Sequence, residues 1–85
     1  MTELTFMPNI GPKLAEMLTE AGIPDGETLR ELGSQEALLR LGVRFGREDL
    51  CFHKLTALEG AVQGVPKKEL TSERKEELRL FYKGL

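Results

Sequence analysis

The sequence contains no tryptophan, one cysteine and one histidine. A lone thiol, Cys51, cannot close a disulfide within the chain, so a reducing cytoplasm is the expected compartment. Cys51 and His53 stand two positions apart, about 200° around a helix, and no further Cys or His supplies the converging ligands of a zinc site. The same divergence removes a cysteine–histidine nucleophile pair. There is no phosphate-cradling glycine loop of nucleotide enzymes. No apolar run approaches the ~20 residues of a membrane span. No basic-then-apolar leader opens the sequence, so no secretion signal is expected. Strand signals are also missing, because no stretch alternates apolar and polar residues with β-branched enrichment. These absences predict a chain with no catalytic residues, no metal, no cofactor and no membrane partner: not an enzyme.

What is present is ordinary for an ordered domain: 85 residues, 40% hydrophobic and 31% charged. One domain, residues 1–85, is expected, burying roughly 60–65% of the surface its unfolded form exposes. The net charge of −2 is unevenly spread. Residues 1–39 set Lys13 and Arg30 against seven carboxylates, a balance of −5. Residues 40–85 set ten cations against seven carboxylates, a balance of +3.

Helical spacing recurs along the chain. Leu14, Met17, Leu18 and Ala21 share one helix face, with Gly11-Pro12 suited to its start and Gly22 to its end. Asp25 is placed to cap a short helix running to Gly33, and Ser34 to cap the next, with Ala37, Leu38 and Leu41 inward. Arg47 to Gln63 reads as the longest helical stretch. Gly60 in its interior costs about 1 kcal/mol against alanine and suits a close approach of another backbone. Thr71 or Ser72 caps a last helix whose apolar face is Leu78, Phe81, Tyr82 and Leu85. The predicted fold is all-α: a compact bundle of about five short helices containing one helix-hairpin-helix-like motif.

That motif is the stretch MPNIGPKLAEML, residues 7–18. A short helix over Glu3–Met7, the turn Pro8-Asn9-Ile10-Gly11 and the helix from Pro12 have the layout of hairpins that hold a DNA phosphate on free amides and a helix N-terminus. Asn9, Ile10, Gly11 and Lys13 are the candidate nucleic-acid-binding residues. Against this reading stands the acidic setting: Lys13 is the only nearby cation, with Glu16 and Glu20 on the same helix, and phosphate binding draws its affinity from cations. Two other readings of the turn are a tight corner whose Ile10 packs in the core, and a protein-contact surface. A second basic surface is possible around Arg40, Arg44, Arg47 and Lys54. The C-terminal cations, Lys67, Lys68, Arg74, Lys75, Arg79 and Lys83, read as a solvated face with local ion pairs or, should they meet the first group in the fold, as a footprint for nucleic acid or an acidic protein. Phe45 and Phe52, the only aromatics placed for base stacking, are expected in the core.

Taken in order, MPNIGPKLAEMLTEAGI, TLRELGSQEALLRL, LTALEGAVQG and ELTSERKEEL resemble the C-terminal domain of the TfoX/Sxy family of competence regulators, over roughly residues 7–82. The most specific part is the ordered combination of PNIGPK with ALEGA. Family members often carry a tryptophan near the position of Lys67, which this chain lacks. No counterpart of the family's N-terminal domain lies within the 85 residues, and activity that depends on it is not expected of this chain. The resemblance implies a bacterial, cytoplasmic, non-enzymatic protein acting in the regulation of DNA-uptake genes. The expected partner is a protein, with DNA as the alternative through residues 9–14. Pairing of the last helix between two copies would give a homodimer.

Overall fold

The computed structural model describes residues 2–85. Among them the order is a 3-10 turn over Leu4–Phe6, α1 (Pro12–Glu20), α2 (Gly26–Phe45), a 3-10 turn over Arg47–Asp49, α3 (Phe52–Gln63), a 3-10 turn over Lys67–Glu69, and α4 (Ser72–Lys83). No strand occurs among the described residues. The Cα radius of gyration is 11.6 Å, close to the ~12 Å expected of a compact domain of this length.

The helix ends follow from local chemistry. Pro12 takes the first position of α1, where its missing N–H is not needed. α1 closes with Gly22 at φ 89°, where the Ile23 amide donates to the Leu18 carbonyl (2.8 Å) and that of Gly22 to Thr19 (3.1 Å). This is a Schellman closure, and it drops Ile23 into the core. Asp25 caps α2 by accepting from the Thr28 amide and hydroxyl, both at 2.8 Å. Those bonds hold the Asp25 carboxyl below its usual pKa. α3 ends as α1 does, on the left-handed Gly64 with Val65 N–H on the Gly60 carbonyl. Thr71 caps α4 through the Arg74 amide.

The core is built mostly from leucines, with Leu18, Leu29, Leu38, Leu41, Leu55, Leu58 and Leu78 wholly buried beside Ile23. α3 is the central element: Leu55 through Ala61 are buried on every side of the helix, not along one stripe. On α4, Leu78 is buried and Phe81 and Tyr82 pack against the core, while Leu80 and Leu85 stay exposed.

Four expectations are corrected. There are four helical elements, not about five, because the two segments expected on either side of Gly33 meet across a kink within α2. Gly33 (φ 82°, ψ 167°) is not helical and separates two helices, one on each side of it. Ser34 does not serve as a cap; its hydroxyl donates to Glu59. The long helix expected from Arg47 begins only at Phe52. Leu50 folds over Gly42, where a β-carbon would stand 2.5 Å from Leu50 Cδ2, and this docking takes the chain out of helical register. Finally, the helix expected over Glu3–Met7 is a single 3-10 turn, Leu4–Phe6, and the helix-hairpin-helix layout is not confirmed. Met7 precedes Pro8 and is held extended at ψ 145°, which stops any helix there.

Candidate functional site

The turn at residues 8–11 is built around a non-glycine residue in the left-handed region: Asn9 has φ 69°, which asparagine tolerates better than most residues. Its side chain faces inward. Nδ2 donates to the Val65 carbonyl (3.0 Å) and the Ala57 carbonyl (3.3 Å), and Oδ1 accepts from the Lys67 amide (3.0 Å). The bare α-carbon of Gly60 makes this possible, since a β-carbon there would collide with Asn9 Nδ2 and stand 2.7 Å from the Val65 carbonyl oxygen. Ile10 is buried. Gly11 and Lys13 are exposed, and α1 begins with no side-chain cap on its first amides.

One residue before Gly60, Glu59 is buried at 6% exposure. Arg74 on α4 grips its carboxylate with two parallel bonds of 3.1 Å, from Nε and Nη2. The Ser34 hydroxyl (2.7 Å) and the Gln63 amide (2.6 Å) complete the shell. Burial alone would push the Glu59 carboxyl up; the bonds from Arg74, Ser34 and Gln63 outweigh it and hold its pKa below the usual glutamate value. The same contacts raise the Arg74 pKa, with Glu59 the main cause and Glu77 the second. Every buried side-chain polar atom among the described residues has a partner.

Residues 59 and 60 of ALEGA therefore anchor α4 and the Asn9 turn respectively. The model of the TfoX C-terminal domain matches residues 1–82. The chain belongs to the TfoX C-terminal domain family. Two crystal structures from Listeria monocytogenes are similar to it at 40% identity. One is of an uncharacterized protein in a triclinic form, with TM-score 0.89, covering 95% of this chain and 90% of that one. The other is of a protein of unknown function in a tetragonal form, with TM-score 0.88, covering 95% and 98%. A search of curated proteins finds no match.

Within this TfoX C-terminal fold the candidate residues fall into separate places. Lys13 and Lys54 meet across one groove of about 430 Å³. Its floor is Met17 and Phe45, and Glu16, Glu20 and Asp49 share its rim with the two lysines. Lys54 pairs with Asp49 at 2.6 Å, and Arg44 reaches Glu20 at 3.4 Å while lying 4.7 Å over the Phe45 ring. Arg40 pairs with Glu36 one turn back. Arg47 lies in a different depression with Leu50, Tyr82, Lys83 and Leu85. Three of the four cations considered around Arg44 thus carry a carboxylate partner. Cys51 is half-buried at the start of α3, and His53 is exposed one residue into that helix.

Sequence reasoning passed over one feature and left another as a loose group of C-terminal cations. The first is the Glu59–Arg74–Ser34–Gln63 cluster, whose members are up to 40 residues apart and carry no shared local signal. The second is a groove between α3 and α4 where Lys67, Lys68, Lys75 and Arg79 converge. Its one signal in the sequence is the four-residue spacing of Lys75 and Arg79 on α4, which puts them on one face.

Proposed function

We propose that the chain is a non-enzymatic regulatory module of the TfoX C-terminal type that acts by contact with a protein partner. The observation that carries this reading is the groove between α1, the end of α2 and the start of α3, lined by the apolar Met17 and Phe45 and by charges of both signs. An apolar patch with interspersed charge suits a protein surface; a phosphate backbone asks for cations alone. By the family resemblance, the process regulated is expression of DNA-uptake genes in a bacterial cytoplasm.

The alternative is a sequence-independent DNA contact through Asn9, Ile10, Gly11 and Lys13. It is favoured by the uncapped N-terminus of α1, whose amides are open to an anion. It is opposed by the Asn9 side chain, whose oxygen and nitrogen are already bonded within the fold.

A photo-crosslinking residue at position 17, read in cells, distinguishes the two. A discrete protein adduct that disappears in Phe45→Ala supports the module. Salt-sensitive shifts of the amides of residues 9–14 with a short DNA duplex, lost in Lys13→Glu, would replace it with the DNA reading.

A further inference from the structure

Four of the basic side chains are neutralised where they stand. Arg40, Arg44, Lys54 and Arg74 each lie on a carboxylate. The uncompensated charge gathers elsewhere. Between α3, the Lys67–Glu69 turn and α4 runs a groove of about 310 Å³ with Lys67, Lys68, Lys75 and Arg79 on its rim and no carboxylate in its lining. Lys67, Lys68 and Lys75 form no ion pair among the described residues. Arg79 touches Glu76 only at 3.8 Å. Four like charges around one depression repel one another and focus a positive field there. That cost persists in a chain whose net charge is −2.

The floor of the groove narrows the class of anion. Phe52 and Thr56 from α3 line it, and the Arg79 guanidinium lies 4.8 Å over the Phe52 ring. Tyr82 meets the same ring edge-on, with centroids 5.7 Å apart. One face of Phe52 is therefore covered and an edge is packed, which suits a base poorly as a stacking platform. A phosphate backbone has no use for an apolar floor. A short peptide with carboxylates for the rim and one apolar side chain for the floor satisfies both parts at once.

We infer that the α3–α4 groove receives an acidic, apolar-anchored segment of a protein partner. Carboxylates of that segment lie against Lys67, Lys68 and Lys75, and an aliphatic side chain rests on Thr56 and the part of Phe52 left open beside Arg79. This surface is distinct from the groove at Met17 and Phe45, so the chain presents two contact faces of different charge character.

The experiment is an amide NMR titration of the full chain at about 150 mM salt with three probes. The first is an octapeptide with a Leu–Phe pair between two runs of three glutamates. The second is octaglutamate. The third is DNA, single-stranded and duplex, of matched charge. The expected result is saturable shifts at Phe52, Thr56, Lys67 and Lys75 with the octapeptide, at least fivefold weaker affinity for octaglutamate, and still weaker affinity for DNA. Lys68→Glu combined with Lys75→Glu, checked for an unchanged circular dichroism spectrum, weakens the octapeptide at least tenfold, while Lys13→Glu leaves it unchanged. Absence of saturable shifts overturns the inference. So does equal affinity for octaglutamate, which removes the apolar anchor, or tighter binding of DNA at the same amides, which makes the groove a nucleic-acid site. None of these outcomes touches the reading of the Met17–Phe45 groove, whose crosslink is scored separately.

Discussion

The side-chain amide of Asn9 occupies the space that a β-carbon on Gly60 would need. The two residues are 51 positions apart, yet each is defined by the other: a glycine in a buried helix makes room, and an asparagine in a strained turn fills it.

Gly60→Ala should therefore destabilise the fold, against the rule for helices. Alanine gains about 1 kcal/mol in intrinsic helix propensity. Overpacking against the Val65 carbonyl and the Asn9 amide costs more, about 1–3 kcal/mol, because one of the obstructing atoms is backbone. A lower urea midpoint is expected, and a raised one would show that the Asn9 turn is not seated on α3.

Three substitutions at Asn9 separate backbone strain from hydrogen bonding. Asn9→Gly keeps the positive φ and loses the three side-chain bonds, at about 1–2 kcal/mol. Asn9→Ala should be worse by about 1 kcal/mol more, the left-handed penalty of a β-carbon. Asn9→Asp keeps the acceptor for the Lys67 amide but turns an anionic oxygen toward the Val65 and Ala57 carbonyls. It should be less stable at pH 7 than Asn9→Gly. Thermal unfolding of the three variants gives the order, at about 4–8 °C per kcal/mol for a domain of this size.

Glu59→Gln should cost about 2–3 kcal/mol, below the usual figure for halving a buried ion pair because Arg74 is one-third exposed to water. Its signature is local as well as global. Amide exchange in α4 should accelerate more than in α1, since Arg74 is then left without its buried partner. Uniform acceleration would mean that the Glu59 cluster does not specifically hold α4.

Acid should unfold the protein through the same group. The Glu59 pKa is lowered in the fold from its ordinary 4.5, so its contribution is complete above about pH 4.5 and is lost as pH falls through the depressed folded value. Asp25, held down chiefly by the Thr28 amide, and Glu27, held down chiefly by the Thr2 amide, act in the same direction. The urea midpoint should be level across neutral pH and fall below about pH 4.5, with a shallower fall in Glu59→Gln. An equal slope in that variant would assign the acid sensitivity to other carboxylates.

The helix ends were legible because each is written in neighbouring residues. Asp25 with Thr28, Thr71 with Arg74, and Gly22 and Gly64 at the closures are contacts within a turn or two. The apolar spacing of α1 likewise gave its buried face correctly, with Leu18 at its centre. What failed was set by contacts at greater distance. Leu50 leaves helical register because Gly42 offers it a seat eight residues earlier. The break at Gly33, by contrast, falls where the sequence marked it, with a helix on either side. Of the readings open for the Asn9 turn, the packing of Ile10 into the core was legible in the turn itself, but not that the Asn9 side chain would reach the Lys67 amide 58 residues away. The pairing of Glu59 with Arg74 had no precursor in spacing or composition. The convergence of Lys67 and Lys68 with Lys75 and Arg79 depended on how the turn before α4 folds back against α3.

Glu59 and Gly60 are consecutive, so α4 and the Asn9 turn are riveted to the same turn of α3 from two directions. The Asn9 turn leads into α1 and the Met17–Phe45 groove, while α4 forms one wall of the Lys75–Arg79 groove. Two partners seated on this chain would be held at a fixed separation and angle by a bracket only a few side chains thick. Loosening that one turn of α3 would misalign both seats together.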